Sequence, residues 1–213
     1  MLNIFRIAAD VSHLVSIFIL IRTITKTRSI SGISFKTQLL YSIVFITRYL
    51  DLFFSYISLY NTLMKLFFIV SSIYILYLMK MVYAKTETQR IDTFRMDYLI
   101  GACAVLALIT TYDYSISEIL WTFSLWLESG AIFPQLFLLQ RTGSAESLTT
   151  HYIFALGLYR ALYIPNWIYR FFSDGKFYWV AVVTGIIQTL VYSDFFWVYY
   201  NKVMKGLKFE LPQ

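Results

Sequence analysis

The chain is poor in the residues from which soluble active sites are assembled. Its 213 residues include one cysteine, two histidines and three prolines, and only 14% are charged. The lone Cys103 lies in an apolar run, so no internal disulfide can form and the thiol says nothing about redox compartment. With so few cysteines and histidines no metal-ligand cluster is present, and neither a nucleophile elbow nor a glycine-rich phosphate loop occurs. Glu118 and Glu128 are separated by about 15 Å along one helix, too far to act together on one bond. The last hydrophobic stretch has no interior lysine, which excludes a retinal Schiff base. No Asn-x-Ser/Thr acceptor occurs. The reading is of a protein that is not an enzyme and needs neither cofactor nor metal.

What is abundant is apolar and aromatic surface. Hydrophobic residues make up 59% of the chain and aromatics 20%, with a mean hydropathy of +0.63. A soluble domain could not hide that much, so the composition predicts an all-α polytopic membrane protein. Seven spans are expected, at roughly 3–22, 36–55, 60–82, 97–112, 116–139, 149–171 and 178–200. Residues 1–200 then form the bundle and 201–213 a tail. Arg6, Asp10 and His13 interrupt the first apolar run and no small-residue cleavage site follows, so the first span is expected to stay in the mature protein.

Charge orients the bundle. Arg22, Lys26, Arg28 and Lys36 lie in the first connection, and Lys80, Lys85, Arg90 and Arg95 in the third. Arg141 follows the fifth span, and Lys202, Lys205 and Lys208 follow the seventh. The connections SLYN and TYDYSIS carry no lysine or arginine. By the positive-inside rule the N-terminus is lumenal or external and the tail cytosolic. The formal net charge of +6 is thereby explained by cytosolic connections beside anionic lipid, not by nucleic acid.

A weak internal repeat sets Thr37, Arg48 and Leu50 of span two over Thr149, Arg160 and Leu162 of span six. An offset of four spans preserves topology, as in two parallel three-helix halves joined by span four. Pro134, followed by Gln135, is expected to open the end of span five, and Pro165 to bend span six or free a carbonyl there.

Ionisable residues recur at helical spacing inside the spans. Arg6, Asp10 and His13 share one face of span one, and Arg48 and Asp51 one face of span two. Glu118, Trp121, Leu125 and Glu128 stack along span five; Arg160, Tyr163, Trp167 and Arg170 stack along span six; Asp194 lies in span seven. None can face lipid cheaply, so the stripes are expected to converge. They form either buried ion pairs that fix helix packing or a polar cavity open to the lumenal side. In the cavity reading, Arg6, Arg48, Arg160 and Arg170 oppose Asp51, Glu118, Glu128 and Asp194, and protonating His13 adds one positive charge that favours an anionic ligand. Lys65 in span three has no assigned place.

The stretches NIFRIAADVSHL, FITRYLDLF, SLYN, WTFSLWLES, PQLFLL, THYIFALGLYRALYIPNWIYRF and YSDFF resemble the KDEL receptor family, the ER lumen protein retention receptors, and the resemblance runs from Asn3 to Pro212. The resemblance implies a seven-helix bundle similar to SWEET and PQ-loop transporters. It also implies a receptor that binds the C-terminal HDEL/KDEL-type tetrapeptide of escaped ER proteins in the acidic Golgi and releases it in the neutral ER. Such a receptor cycles between the two membranes with coat protein complex I.

Carried onto this chain, the resemblance assigns Arg6, Arg48 and Arg170 to the ligand's three anionic groups. Asp51 and Glu118 would face its leading basic residue, with Trp167 nearby, and Tyr163 shares the face of Trp167 and Arg170. His13 resembles a pH sensor; Glu128, Tyr159 and Arg160 resemble a network that closes on ligand; Asp194 resembles a position needed for transport. The cytosolic end departs from the pattern. Lys205 and Lys208 are separated rather than adjacent, Glu210 stands in place of a serine, and Glu146 is the one acidic residue of its loop. Lys202, Lys205 and Lys208 therefore read equally as a sorting signal or as positive-inside anchoring. Two other classes compete with a cargo receptor: a small-solute transporter of SWEET/PQ-loop type, which would show substrate flux, and a structural or signalling protein, which would bind neither peptide nor solute.

Overall fold

The computed structural model describes residues 3–83, 91–142, 147–175 and 177–205, and among them no strand occurs. The helices are α1 Ile4–Thr27, α2 Phe35–Arg48, α3 Leu59–Tyr77, α4 Met96–Thr110, α5 Ile116–Gly130, α6 Phe133–Thr142, α7 Ser147–Asp174 and α8 Trp179–Lys202. Short 3-10 turns follow α2 at Leu50–Phe53 and α8 at Val203–Lys205, and α3 runs on as a π turn, Leu78–Val82.

Local chemistry sets the starts. Side-chain oxygens of Asn3, Ser34, Ser58 and Ser115 accept from backbone amides three residues on, which opens α1, α2, α3 and α5. Arg28 (φ 50) ends α1 in the left-handed conformation, and Gly175 (φ 62) follows α7 where only glycine enters that region freely.

Three helices are long and apolar enough to cross a membrane: Ile4–Thr27, Leu59–Val82 and Trp179–Lys205. Their outer faces carry bare apolar side chains such as Phe18, Val70 and Trp197. Such surface suits hydrocarbon, and the chain is an all-helical membrane protein.

The chain divides into two compact units. In the first, residues 1–32 and 139–213, α1 packs against α7 and α7 against α8. The pairing of α1 with α7 is antiparallel: Asn3 donates to Asn166 at 2.7 Å, and Ser12 donates to the Ala155 carbonyl at 2.9 Å. Pro165 lies inside α7, which continues through it. In the second unit, residues 33–138, α2 packs against α3 and α5, and α4 against α5.

Two boundaries differ from expectation. Span five is two helices, α5 and α6, because Pro134 has no amide to continue the ladder. Ala131 makes only a short-range bond to the Glu128 carbonyl (3.3 Å), and the ladder restarts with Leu136 donating to Ile132 (3.1 Å). Gln135 then ties the break down: its backbone amide donates to Thr37 Oγ1 (2.9 Å), and its Oε1 accepts from the Ser34 amide (2.8 Å). The second difference is that α2 stops at Arg48 and gives way to the 3-10 turn, short of residue 55.

Candidate functional site

The charged residues expected inside the spans fall into two groups, one in each unit. In the first unit, Asp10 and His13 are buried on the face of α1 that meets α7. Asp10 accepts from the Tyr163 hydroxyl at 2.7 Å, and its other oxygen lies 3.8 Å from Arg6. His13 stacks on Tyr159 with ring centroids 4.2 Å apart and planes 8° from parallel.

Arg160, 4% exposed, donates through Nε to Gln188 Oε1 on α8 at 2.6 Å. Its guanidinium also lies 5.8 Å from the centroids of Tyr159 and Trp167. Tyr163 meets Tyr159 edge-on, and Trp167 lies 5.8 Å from Tyr163 with its plane tilted by 35°. Arg170, Trp167, Phe177, Tyr178 and Val182 line a small open cleft. The spacing argument for α7 therefore holds in space: Arg160, Tyr163, Trp167 and Arg170 share a face, while Ile168, Phe171 and Phe172 point outward.

In the second unit Arg48, the last residue of α2, reaches α5. Its Nη1 lies 2.5 Å from Glu128 Oε2, Nε donates to Ser124 Oγ at 3.0 Å, and Nη2 donates to the Ser124 carbonyl at 3.0 Å. Glu128 is fully buried, a position that a carboxylate keeps only with such a partner. Asp51, in the 3-10 turn, accepts through Oδ2 from Lys65 Nζ at 2.6 Å. Its Oδ1 is buried with no hydrogen-bond partner. Glu118 is half-buried in the first turn of α5, where a negative charge meets the positive end of the helix.

Three partners escaped the sequence reading. Lys65 had no place and belongs to Asp51; Ser124 and Gln188, being uncharged, were not candidates, although a glutamine within the apolar run GIIQTLVY is itself a signal. One expectation fails: Asp194 is exposed, so the charged stripes do not all turn inward. Thr184, Gln188, Tyr192 and Phe195 form the buried face of α8, and Asp194 sits with Leu190 and Trp197 on the outer one. At the tail, Lys205 donates to Asn201 at 3.3 Å on the surface, and Lys202 is half-buried. Glu146 and Lys208 lie outside the described residues.

Residues 29–170 match the ER lumen protein retaining receptor family. The chain belongs to that family. Its relatives include the ER lumen protein-retaining receptor of Kluyveromyces lactis, 58% identical over 221 residues that cover all of both chains. ER lumen protein-retaining receptor 2 of Bos taurus is 54% identical, over 99% of this chain and all of its own. The Drosophila melanogaster receptor is 50% identical over the same shares. Family membership identifies a receptor, not an enzyme.

Proposed function

We propose that this receptor retrieves escaped ER lumenal proteins by binding their C-terminal HDEL/KDEL-type tetrapeptide at acidic pH and releasing it at neutral pH. The observation that carries the reading is the identity of 50–58% along essentially the whole chain to ER lumen protein-retaining receptors. The chemistry of the signal supports it. An aspartate, a glutamate and a terminal carboxylate call for three cationic partners, and Arg6, Arg48 and Arg170 are all half-buried rather than fully hydrated.

Asp51 and Glu118 are the proposed acceptors for the leading lysine or histidine, and the unpartnered Oδ1 of Asp51 suits that role. Trp167 and Tyr163 supply aromatic contact, and Tyr163 also holds Asp10. His13 is the proposed pH sensor, with Tyr159, Arg160 and Glu128 as the groups that respond to ligand. The reading keeps seven spans in two parallel three-helix halves of SWEET/PQ-loop type, with α5 and α6 together forming the fifth span. The N-terminus is lumenal and the C-terminus cytosolic, in ER and Golgi membranes between which the receptor cycles. Asp194 is the proposed transport determinant; its exposure suits contact with a neighbour more than with the ligand. Lys202, Lys205, Lys208 and Glu146 are the proposed contacts for coat protein complex I.

The decisive experiment is binding of purified receptor to labelled peptides ending in HDEL, KDEL and an amidated control between about pH 5 and 7.5. Binding at the acidic end, lost on amidation and weakened near neutrality, is expected. Binding that ignores both pH and the terminal carboxylate would sink the reading, and substrate flux in proteoliposomes would replace it with a transporter.

A further inference from the structure

Two glycines interlock α7 and α8. A Cβ on Gly157 of α7 would strike the rings of Tyr192 and Phe196 on α8. A Cβ on Gly185 of α8 would overlap Cζ3 and Cη2 of the Trp167 indole on α7. Each helix thus lends the other a bare stretch of backbone on which an aromatic ring lies. Glycine is a poor former of helix interiors, so a buried one in mid-helix calls for a packing reason.

The two contacts differ in what they reach. Gly157 receives the buried Tyr192 and the half-buried Phe196 of α8. Gly185 receives a ring whose other neighbours are functional candidates. Tyr163 lies 5.8 Å from the indole, the Arg160 guanidinium is also at 5.8 Å, and the indole forms a wall of the cleft that holds Arg170. Gln188, one turn beyond Gly185 on the same buried face of α8, fixes Arg160 from below. An indole is rigid and turns about only two bonds, so an atom added beneath its six-membered ring moves the whole plane toward the cleft.

We propose that Gly185 is a positioning residue for ligand capture, setting through its missing side chain where Trp167 stands in the cleft beside Arg170. The proposal rests on the reading that Trp167 and Arg170 contact the peptide. It assigns to α8 a part in recognition that none of its charged residues supplies.

Full-length receptor variants are compared by affinity for a labelled HDEL-ending peptide at acidic pH, with thermal unfolding measured alongside. Gly185→Ala is expected to weaken binding about tenfold or more, the scale of one overpacked methyl expressed at the site. Trp167→Phe removes the two overlapping atoms, so the double variant is expected to bind like Trp167→Phe alone. Gly101→Ala, where an added Cβ meets nothing within 4 Å, is expected to bind like wild type.

Unchanged affinity in Gly185→Ala, or losses that multiply in the double variant, would overturn the proposal while leaving the receptor reading intact. If Gly185→Ala fails to fold, recovery of both fold and binding by adding Trp167→Phe supports the proposal. Failure to recover overturns it, because the glycine then serves helix packing alone. A wild-type receptor that binds no such peptide removes the functional reading and this proposal together.

Discussion

Lys65 on α3 and Asp51 in the turn after α2 form an ion pair at 2.6 Å, with only 10% of the lysine side chain exposed and 41% of the aspartate. The pair is lopsided: the ammonium depends on the carboxylate far more than the reverse. Asp51→Asn is expected to cost about 2–3 kcal/mol of stability, since it leaves a buried ammonium without its counter-charge. Adding Lys65→Met is expected to recover most of that loss. Thermal unfolding in one detergent checks both, and equal losses from the single and double variants would show that the pair carries no coupling.

The proposed role of the same carboxylate in specificity has its own test. Lys65 occupies Oδ2 and leaves Oδ1 buried without a partner. An incoming cation can therefore be met without breaking the existing pair. Asp51→Asn is expected to weaken peptides beginning with lysine or histidine about tenfold, the scale of one charge-assisted hydrogen bond, and those beginning with a neutral residue much less. Equal losses for both peptide sets would remove Asp51 from discrimination.

Among the described residues of the second unit, Arg48 and Glu128 form the most deeply set charge pair. Arg48→Ala takes the guanidinium away from a fully buried carboxylate and is expected to destabilise by about 3–5 kcal/mol. Arg48→Lys keeps the charge but loses the fork that holds Ser124 through Nε and Nη2. It is expected to retain the fold and lose part of that stability. A melting temperature for Arg48→Ala equal to wild type would mean that Glu128 takes up a proton at no cost.

How much of this was legible follows from the kind of signal each residue sends. Arg6, Asp10 and His13 could be placed on one face because helical spacing survives folding, and the structure turns Asp10 and His13 toward α7. Pro134 announced the break between α5 and α6 because it lacks an amide. The stop of α2 at Arg48 was not legible: apart from Asp51, YLDLFF is apolar and it contains neither glycine nor proline, so the hydrophobic run reads straight through. Ser124 and Gln188 were silent for another reason. An uncharged polar residue becomes informative only when tertiary packing brings a guanidinium to it, as with Arg48 and Arg160. Asp194 misleads the other way: a charge in an apolar run reads as buried, although its neighbours at helical spacing, Leu190 and Trp197, face outward.

The last prediction concerns pH. His13 is buried and stacked face to face on Tyr159, one residue from Arg160, while Asp10, the carboxylate one turn earlier on α1, is held by Tyr163 and lies beside Arg6. Protonation there would add a positive charge to a face whose Asp10 is already held by Tyr163 and Arg6, so an anionic ligand would gain attraction with the proton. With His13 as the proposed sensor, affinity is expected to be high below the imidazole range, about pH 6.5 in the unperturbed group, and to fall as pH rises through it. If ligand binding raises the histidine pKa by one unit, affinity changes about tenfold across the range. His13→Ala is expected to leave the bundle folded and to flatten that profile between about pH 5 and 7.5. A profile unchanged in His13→Ala would assign the titration to another group, and Glu118 or Glu128, tested by glutamine substitution in the same assay, would be the carboxylates to examine.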